Sequence, residues 1–354
     1  MIKYLFSFLL ISALLFSCDN PDPNSHINSF SSVLPSSTGG ADEIMFVIPD
    51  QLYISETKQA INMAFDEVYR ILPQEESRFT LSKVKFSAMN NLMYRFRNIV
   101  LVANTSEEST ILAMAKENLS KEEYEQLEKG NKKYFILENV WSKPQNVVFV
   151  FGDSQEDLEL SLQAASQEVK THISTTDLEE FKKIAFINGI NGKLSEQWKE
   201  YHQLDLSIPT DYKLAENEGN FVSLRKDIEK GMIFIFFDVI YYDGEIPSFN
   251  NGIELRNERG HFVSSNAPNS YMSTDSTLGF LETKTLKNDK IIYETSGLWT
   301  MVNDFMGGPF INQYIIDQAN HRVILLDGFI YAPGENKKKR YLRQIEAIFS
   351  TLKL

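Results

Sequence analysis

Residues 4–16 (YLFSFLLISALLF) form an unbroken run of apolar and small side chains behind Lys3. Thirteen helical residues reach roughly 20 Å, short of the about 30 Å of a bilayer core, so the run predicts a signal-peptide core and not a spanning helix. Residues 19–43 are rich in Pro, Ser, Asn and Gly without a hydrophobic period, which predicts a flexible tether. From residue 44 the pattern turns regular. Ile44–Pro49 predicts a buried strand, and 56–72 a helix whose stripe is Ile61, Ala64, Phe65, Val68, Ile71 and Leu72, stopped by Pro73. Residues 79–86 alternate as a half-buried strand, and 98–103 are wholly apolar. Ser120 and Glu123 have capping-box spacing at the start of a helix over 120–129. Strands follow at 134–140 and 147–151, then a helix over 155–173 with Leu158, Leu162, Ala165, Val169 and Ile173 on one face, and a separate helix near 176–187.

Beyond residue 205 the texture changes. Strands are predicted near 212–214, 221–226 and 232–242, and the last (MIFIFFDVIYY) is too apolar for a wet face, so it belongs inside a sheet covered on both sides. A short helix over 248–262 precedes strands near 280–286, 290–303, 310–317 and 322–331, and a final helix covers 337–352. Met306-Gly307-Gly308-Pro309 reads as a turn with unusual backbone angles. The predicted class is α+β: two α/β sandwich domains, 44–190 and 205–354, each a mostly antiparallel sheet packed against helices, the first with its helices on one face. Residues 1–17 are then a signal peptide and 18–43 the tether.

Composition narrows the chemistry. Thirty-five basic against 48 acidic residues give a formal charge of −13, which argues against nucleic acid or anionic lipid as the principal partner. The sole cysteine, Cys18, follows Leu15-Phe16-Ser17 directly behind the apolar run. An aliphatic residue three before it and a small one just before it make a lipobox, so the thiol is expected to take a diacylglycerol and, as a palmitate-bearing lipoprotein, hold the body to a membrane. No other cysteine remains for a disulfide, a nucleophile or a metal cluster. The five histidines, 26, 172, 202, 261 and 321, never stand three or four apart, so no helical metal pair is predicted. No phosphate-loop, dinucleotide, serine-elbow or zinc-protease pattern occurs, and no cofactor is implied.

A wider resemblance rests on Leu72-Pro73-Gln74 with Phe79, Arg97-Asn98-Ile99, Trp141 with Pro144-Gln145, Arg256-Asn257 and Ser270-Tyr271-Met272-Ser273-Thr274. It continues through the run from Trp299 to Phe310 and ends in Tyr331-Ala332-Pro333. Over about residues 40–354 the chain resembles an uncharacterised family of Bacteroidota envelope lipoproteins, a domain of unknown function. The resemblance implies a location in the cell envelope and brings no catalytic residues; the expected place is lipid-anchored at the outer membrane, on its periplasmic or surface face.

The densest unusual cluster is Trp299, Asn303 and Asp304 with Gly307 and Gly308. It reads either as a hairpin tip offered to a ligand, or as a core tryptophan beside a turn that demands glycine. Arg256, Asn257 and Tyr271 are the next candidates for a binding surface, the arginine alternatively pairing with Asp304 as structure. Lys337-Lys338-Lys339-Arg340 could meet anionic lipid or simply lead into the last helix. Asp275-Ser276-Thr277 has the form of a short O-glycosylation acceptor. The leading functional expectation is a non-catalytic binding or accessory subunit of an outer-membrane assembly with an envelope protein partner. The alternatives are a carboxylate-dependent hydrolase on cell wall or glycan, with Asp304 among its acids, and a glycan or small-ligand binder using Trp299 or Tyr271.

Overall fold

The computed structural model describes residues 34–106, 109–247 and 252–354; Cys18, the signal segment and most of the tether lie outside the described residues. The first sheet contains β1 (Glu43–Ile48), β2 (Thr80–Lys85), β3 (Asn98–Asn104), β4 (Tyr134–Glu138) and β5 (Asn146–Gly152), in the order β2-β1-β3-β5-β4. β1 runs parallel to β2 and β3, and β3 parallel to β5; only β4 is antiparallel to its neighbour.

This corrects the expected mostly antiparallel sheet with helices on one face. The cause is legible in burial. Residues 44–48, 99–103 and 147–151 are buried at every position, so both faces are covered. Ile44, Phe46, Val100, Val102, Val148 and Val150 pack against α1 (Ser55–Phe65) and α4 (Gln155–Ala185). Met45, Val47, Leu101 and Phe149 pack against α2 (Thr110–Asn118) and α3 (Lys121–Glu128). The capping box of Ser120 and Glu123 is formed at the start of α3.

α4 is one helix of 31 residues, not two. The hydroxyls of Thr175 and Thr176 donate to the carbonyls of Thr171 and His172 one turn back, so the polar stretch between the expected helices continues the helix. Its stripe runs on through Val169, Ile173, Asp177, Phe181 and Ala185, all buried.

The second sheet is antiparallel throughout, in the order β6-β7-β8-β12-β11-β10-β9. Its strands are β6 (Lys213–Glu218), β7 (Phe221–Ile228), β8 (Gly231–Tyr241), β9 (Tyr271–Lys287), β10 (Lys290–Val302), β11 (Gly307–Asp317) and β12 (Arg322–Tyr331). β8 is internal and covered on both faces. Ile233, Ile235, Phe237 and Val239 meet residues of α5 (Gly192–Tyr201) and α7 (Lys339–Phe349), while Phe236 joins the cluster that holds Leu255 of α6 (Ile253–Gly260).

The two sheets are joined by a segment expected to be helix. α1 ends at Phe65, well before Pro73, and Arg70 adopts a left-handed backbone, φ 51°. The chain between lets Tyr69 and Leu72 enter the core beneath the second sheet. Glu346 of α7 receives the Tyr69 hydroxyl at 2.7 Å and Arg70 Nη2 at 2.6 Å, and pairs with Arg343. Arg70 Nη2 also reaches Glu294 of β10 at 2.7 Å, and Arg343 Nε lies 3.3 Å from Asp42. Burial opposes ionisation of Glu346, yet the two guanidiniums hold its carboxyl down to about 2.

Glu76, from the same segment, accepts the backbone N–H groups of Lys338 (2.6 Å) and Lys339 (3.1 Å) at the start of α7, supplying from outside the cap that the helix lacks. Within the basic run, Lys338 is buried and Lys339 Nζ donates to the carbonyls of Ser77 and Arg78. Residues 35–38, expected to be tether, are stitched to the segments that lead into β3 and β5 instead: Thr38 N–H donates to Arg95 O at 2.7 Å and Lys143 N–H to Pro35 O at 2.9 Å.

Removing one partner of a buried ion network leaves the others uncompensated, which costs about 3–5 kcal/mol. Glu346→Gln is therefore expected to lower the denaturant midpoint by that equivalent. Glu196→Gln, on the exposed side of α5, should stay within about 0.5 kcal/mol. Equal urea midpoints for the two variants would contradict the role of the joint.

Candidate functional site

The residues singled out by sequence are mostly interior. Arg256 on α6 is fully buried: Nε lies 2.7 Å from Asp327 Oδ2, Nη1 donates to Thr274 Oγ1 at 3.0 Å, and the guanidinium stacks on Phe310 at 3.8 Å. Asp327 also receives Asn312 Nδ2 at 3.1 Å. Asn257 Oδ1 accepts both the N–H and the hydroxyl of Thr274, each at 2.8 Å. Arg256 thus pairs with Asp327 and not with Asp304, and together with Asn257 it ties α6 to β9 and β12.

Trp299 fills the core. Its Nε1–H donates to Ile330 O at 3.1 Å and its ring meets Phe329 edge-on. One face of the Tyr271 ring is covered by His261, stacked at 4.0 Å. The pair does not form an open aromatic platform. The turn lies at Asn303, which carries the positive φ of 62° and donates to Asn269 O. Gly307 and Gly308 are needed for a different reason than the unusual angles expected. A Cβ on Gly308 would stand 2.0 Å from Ile330 O, and one on Gly307 2.8 Å from Trp299 O. Asp304 sits beside this tip, its carboxyl held below the usual range by hydrogen bonds from Ser265 and the Phe305 N–H. A general acid needs the opposite shift. Thr277 donates to Asp275 through both its N–H and its hydroxyl in the exposed stretch of β9.

A groove of about 720 Å³ opens where the first sheet meets α7. Phe79 and Phe181 contribute apolar wall, and Asp42, Glu75, Lys83, Lys337 and Lys339 contribute charge of both signs. Burial pushes the Lys83 ammonium down, and Lys83 donates to Asn62 Oδ1 at 2.7 Å. Burial likewise lowers Lys339, against the attraction of Asp42 and Glu76. Burial raises the Asp42 carboxyl despite Arg343. Behind Asp42 lies Asp177, which accepts the Asp42 N–H at 2.8 Å and Asn98 Nδ2 at 3.0 Å. Arg97 Nε is 3.9 Å from Asp177, and Arg97 Nη2 is 3.1 Å from Glu180. Burial pushes Asp177 up to about 6 against those hydrogen bonds.

None of Asp42, Asp177, Arg70, Arg343 or Glu346 was singled out by the sequence reading. The available signal was a charge inside an apolar stripe: Asp177 between Ile173 and Phe181, and Glu346 between Leu342 and Phe349. Among the described residues no group of three or more His, Cys, Asp or Glu side chains is placed to hold a metal ion.

The arrangement defines an α+β body of two sheets locked by buried ion pairs, with a mixed-charge groove beside the lock. Residues 37–186 match the family model described as domain of unknown function DUF8532, and residues 191–351 that described as domain of unknown function DUF4837. Two models of unknown function thus match consecutive parts of the chain, in line with the expected domain-of-unknown-function character. No curated protein matches the chain. Among solved structures, human STARD10 is 7% identical, with 45% of this chain and 80% of that one covered at a TM-score of 0.20. Human StAR-related lipid transfer protein 5 is 8% identical, with 51% and 95% covered at a TM-score of 0.22.

Two of the perturbed carboxylates, Asp177 and Glu346, act in opposite directions on stability. Asp177, raised from 3.8 to about 6, contributes fully below its unfolded value, and that contribution is lost as pH rises through about 6. Glu346, lowered from 4.5 to about 2, contributes fully above its unfolded value and loses it as pH falls through about 2. Urea midpoints measured against pH are expected to show Asp177→Asn removing the decline between about pH 4 and 6, and Glu346→Gln removing the acid limb. An unchanged profile in Asp177→Asn would refute the assignment. In the second sheet, Arg256→Met alone is expected to cost about 3–5 kcal/mol, and Arg256→Met with Asp327→Leu to recover most of it.

Proposed function

We propose that this protein is a lipid-anchored envelope protein, acylated at Cys18, whose body binds a partner without chemistry as an accessory subunit of an outer-membrane assembly. In this reading residues 1–17 are cleaved, and 44–190 and 205–354 serve as two domains carried on one tether. The observation that carries it is the way the chain enters the body. Thr38 N–H donates to Arg95 O and Arg97 N–H to Thr38 O, at 2.7 and 2.8 Å, while Ser37 N–H and Lys143 N–H exchange bonds with Lys143 O and Pro35 O. Tension from an anchor would therefore meet paired backbone at the segments leading into β3 and β5.

The groove beside α7 is the surface assigned to the partner. Its walls carry both signs of charge over an apolar base, which suits a polar polypeptide segment better than a bilayer. Cys18→Ser is expected to move the bulk of the protein from the membrane to the soluble fraction. A photocrosslinking side chain at Glu75, an exposed wall residue, is expected to give one dominant protein adduct in intact cells. Glu75→Lys combined with Lys337→Glu should reduce that adduct severalfold in a chain labelled at Ile184 of the same groove. Unchanged membrane retention of Cys18→Ser would end the anchor reading, and absence of any adduct would end the partner reading.

A further inference from the structure

The sheet ends on β9, a 17-residue strand bonded on one side only. Its register with β10 breaks between Gly297 and Leu298, which pair with Phe280 and Asp275 respectively, so residues 276–279 bulge out, and residues 280–287 beyond them, still paired with β10 and through it with β11, form the outer arm of the edge strand. Residues 280–289 are exposed at every position, with Phe280 at 42%, Leu281 at 53% and Leu286 at 73%. A long exposed edge of this kind is a template for another strand. The arm is held in place from below: Glu294, opposite Thr283, accepts both Arg70 and Gln313.

The backbone geometry says which residues offer their groups outward. Asn288 and Asp289, with φ of 49° and 59°, make a two-residue turn between Lys287 and Lys290. Residues flanking such a turn form the first hydrogen-bonded pair. Lys287, Thr285, Thr283 and Leu281 therefore spend their backbone groups on β10. Leu286, Lys284, Glu282 and Phe280 turn theirs to the free edge.

That outward sequence is self-complementary. In an antiparallel pairing of two copies about a two-fold axis at Thr283, Glu282 stands opposite Lys284 and Phe280 opposite Leu286, each twice. All four are outward-bonding pairs, as the ladder requires. Sliding the register by two residues in either direction sets Glu282 against Glu282 or Lys284 against Lys284, and like charges directly opposite are destabilising. Lysines on an edge usually guard it against pairing. Here the nearby glutamate turns that guard into a selector of one register. We propose that the β9 edge of this protein docks on the β9 edge of a second copy, giving a two-fold dimer through a continuous sheet. The charge complementarity of Glu282 and Lys284 favours this occupant over a foreign strand.

The test uses the full chain in detergent under mild oxidation. At the axis, Thr283 would form a non-hydrogen-bonded pair with Cα atoms about 4.5 Å apart, within disulfide reach. Two copies of residue 285 would lie about 13 Å apart. Thr283→Cys is expected to give a covalent dimer joined at 283, at least tenfold above the yield from Thr285→Cys. Adding Glu282→Lys to Thr283→Cys should lower the yield at least tenfold, and adding Lys284→Glu as well should restore it. All these positions are exposed, so the variants keep the fold. Equal yields at 283 and 285, indifference to charge reversal, or capture in cells of a different protein at 283 would each overturn the proposal. The readout in detergent is independent of Cys18 and of the groove, so its failure leaves the anchor and partner reading untouched.

Discussion

A single buried carboxylate holds this molecule together. Glu346 lies on α7 beneath the second sheet, and its partners Tyr69 and Arg70 come from the segment that leaves the first. Taking that acid out of water is costly, and only the two guanidiniums and the tyrosine hydroxyl beside it make its ionised form favourable. The same contact fixes much else. It draws residues 69–72 away from α1 into a foreign core, brings Glu76 to the start of α7, and sets Arg343 against Asp42 at the rim of the groove.

The arrangement is electrostatically lopsided. Glu346 on α7 is surrounded by cations and stays charged, whereas Asp177 on α4 has distant or shared counter-charges and is pushed toward neutrality. Two acids in one joint thus experience opposite fields because one has guanidiniums in bonding contact and the other has mainly amide donors. The fully buried Arg256–Asp327 pair across the second sheet follows a third pattern, one cation for one anion with Asn312 and Thr274 meeting the remaining valences.

Much of the fold was legible in the sequence because hydrophobic period survives wherever an element packs on one side. The strands of both sheets, the helix at the C-terminus and the capping box of α3 follow from it. Strand direction in the first sheet did not, since an unbroken apolar run marks burial on both faces without saying which way the neighbour points. The end of α1 was misplaced because Val68, Ile71 and Leu72 continue its spacing although the helix has ended: Val68 is exposed and Leu72 packs in the other core. The split in α4 came from the polar Ser174-Thr175 stretch between the two expected helices, which the structure carries through as helix. Arg256, Asn257, Trp299, Gly307 and Gly308 stood out for a sound reason, since unusual residue types in apolar contexts are constrained. The constraint proved to be interior packing and backbone approach. The joint itself was illegible because its members lie some 270 positions apart, and no local pattern encodes such a meeting.

Glu76 has a consequence for how the two family segments can exist apart. It belongs to the first and completes a helix of the second. A polypeptide cut near residue 190 would leave the later fragment with bare amide groups at one helix start, an acid that keeps the guanidinium of Arg343 but loses that of Arg70, and a hole where the Tyr69 ring had been. Neither stretch is a portable cassette. Swapping one without the other would require the whole seam to be replaced at once.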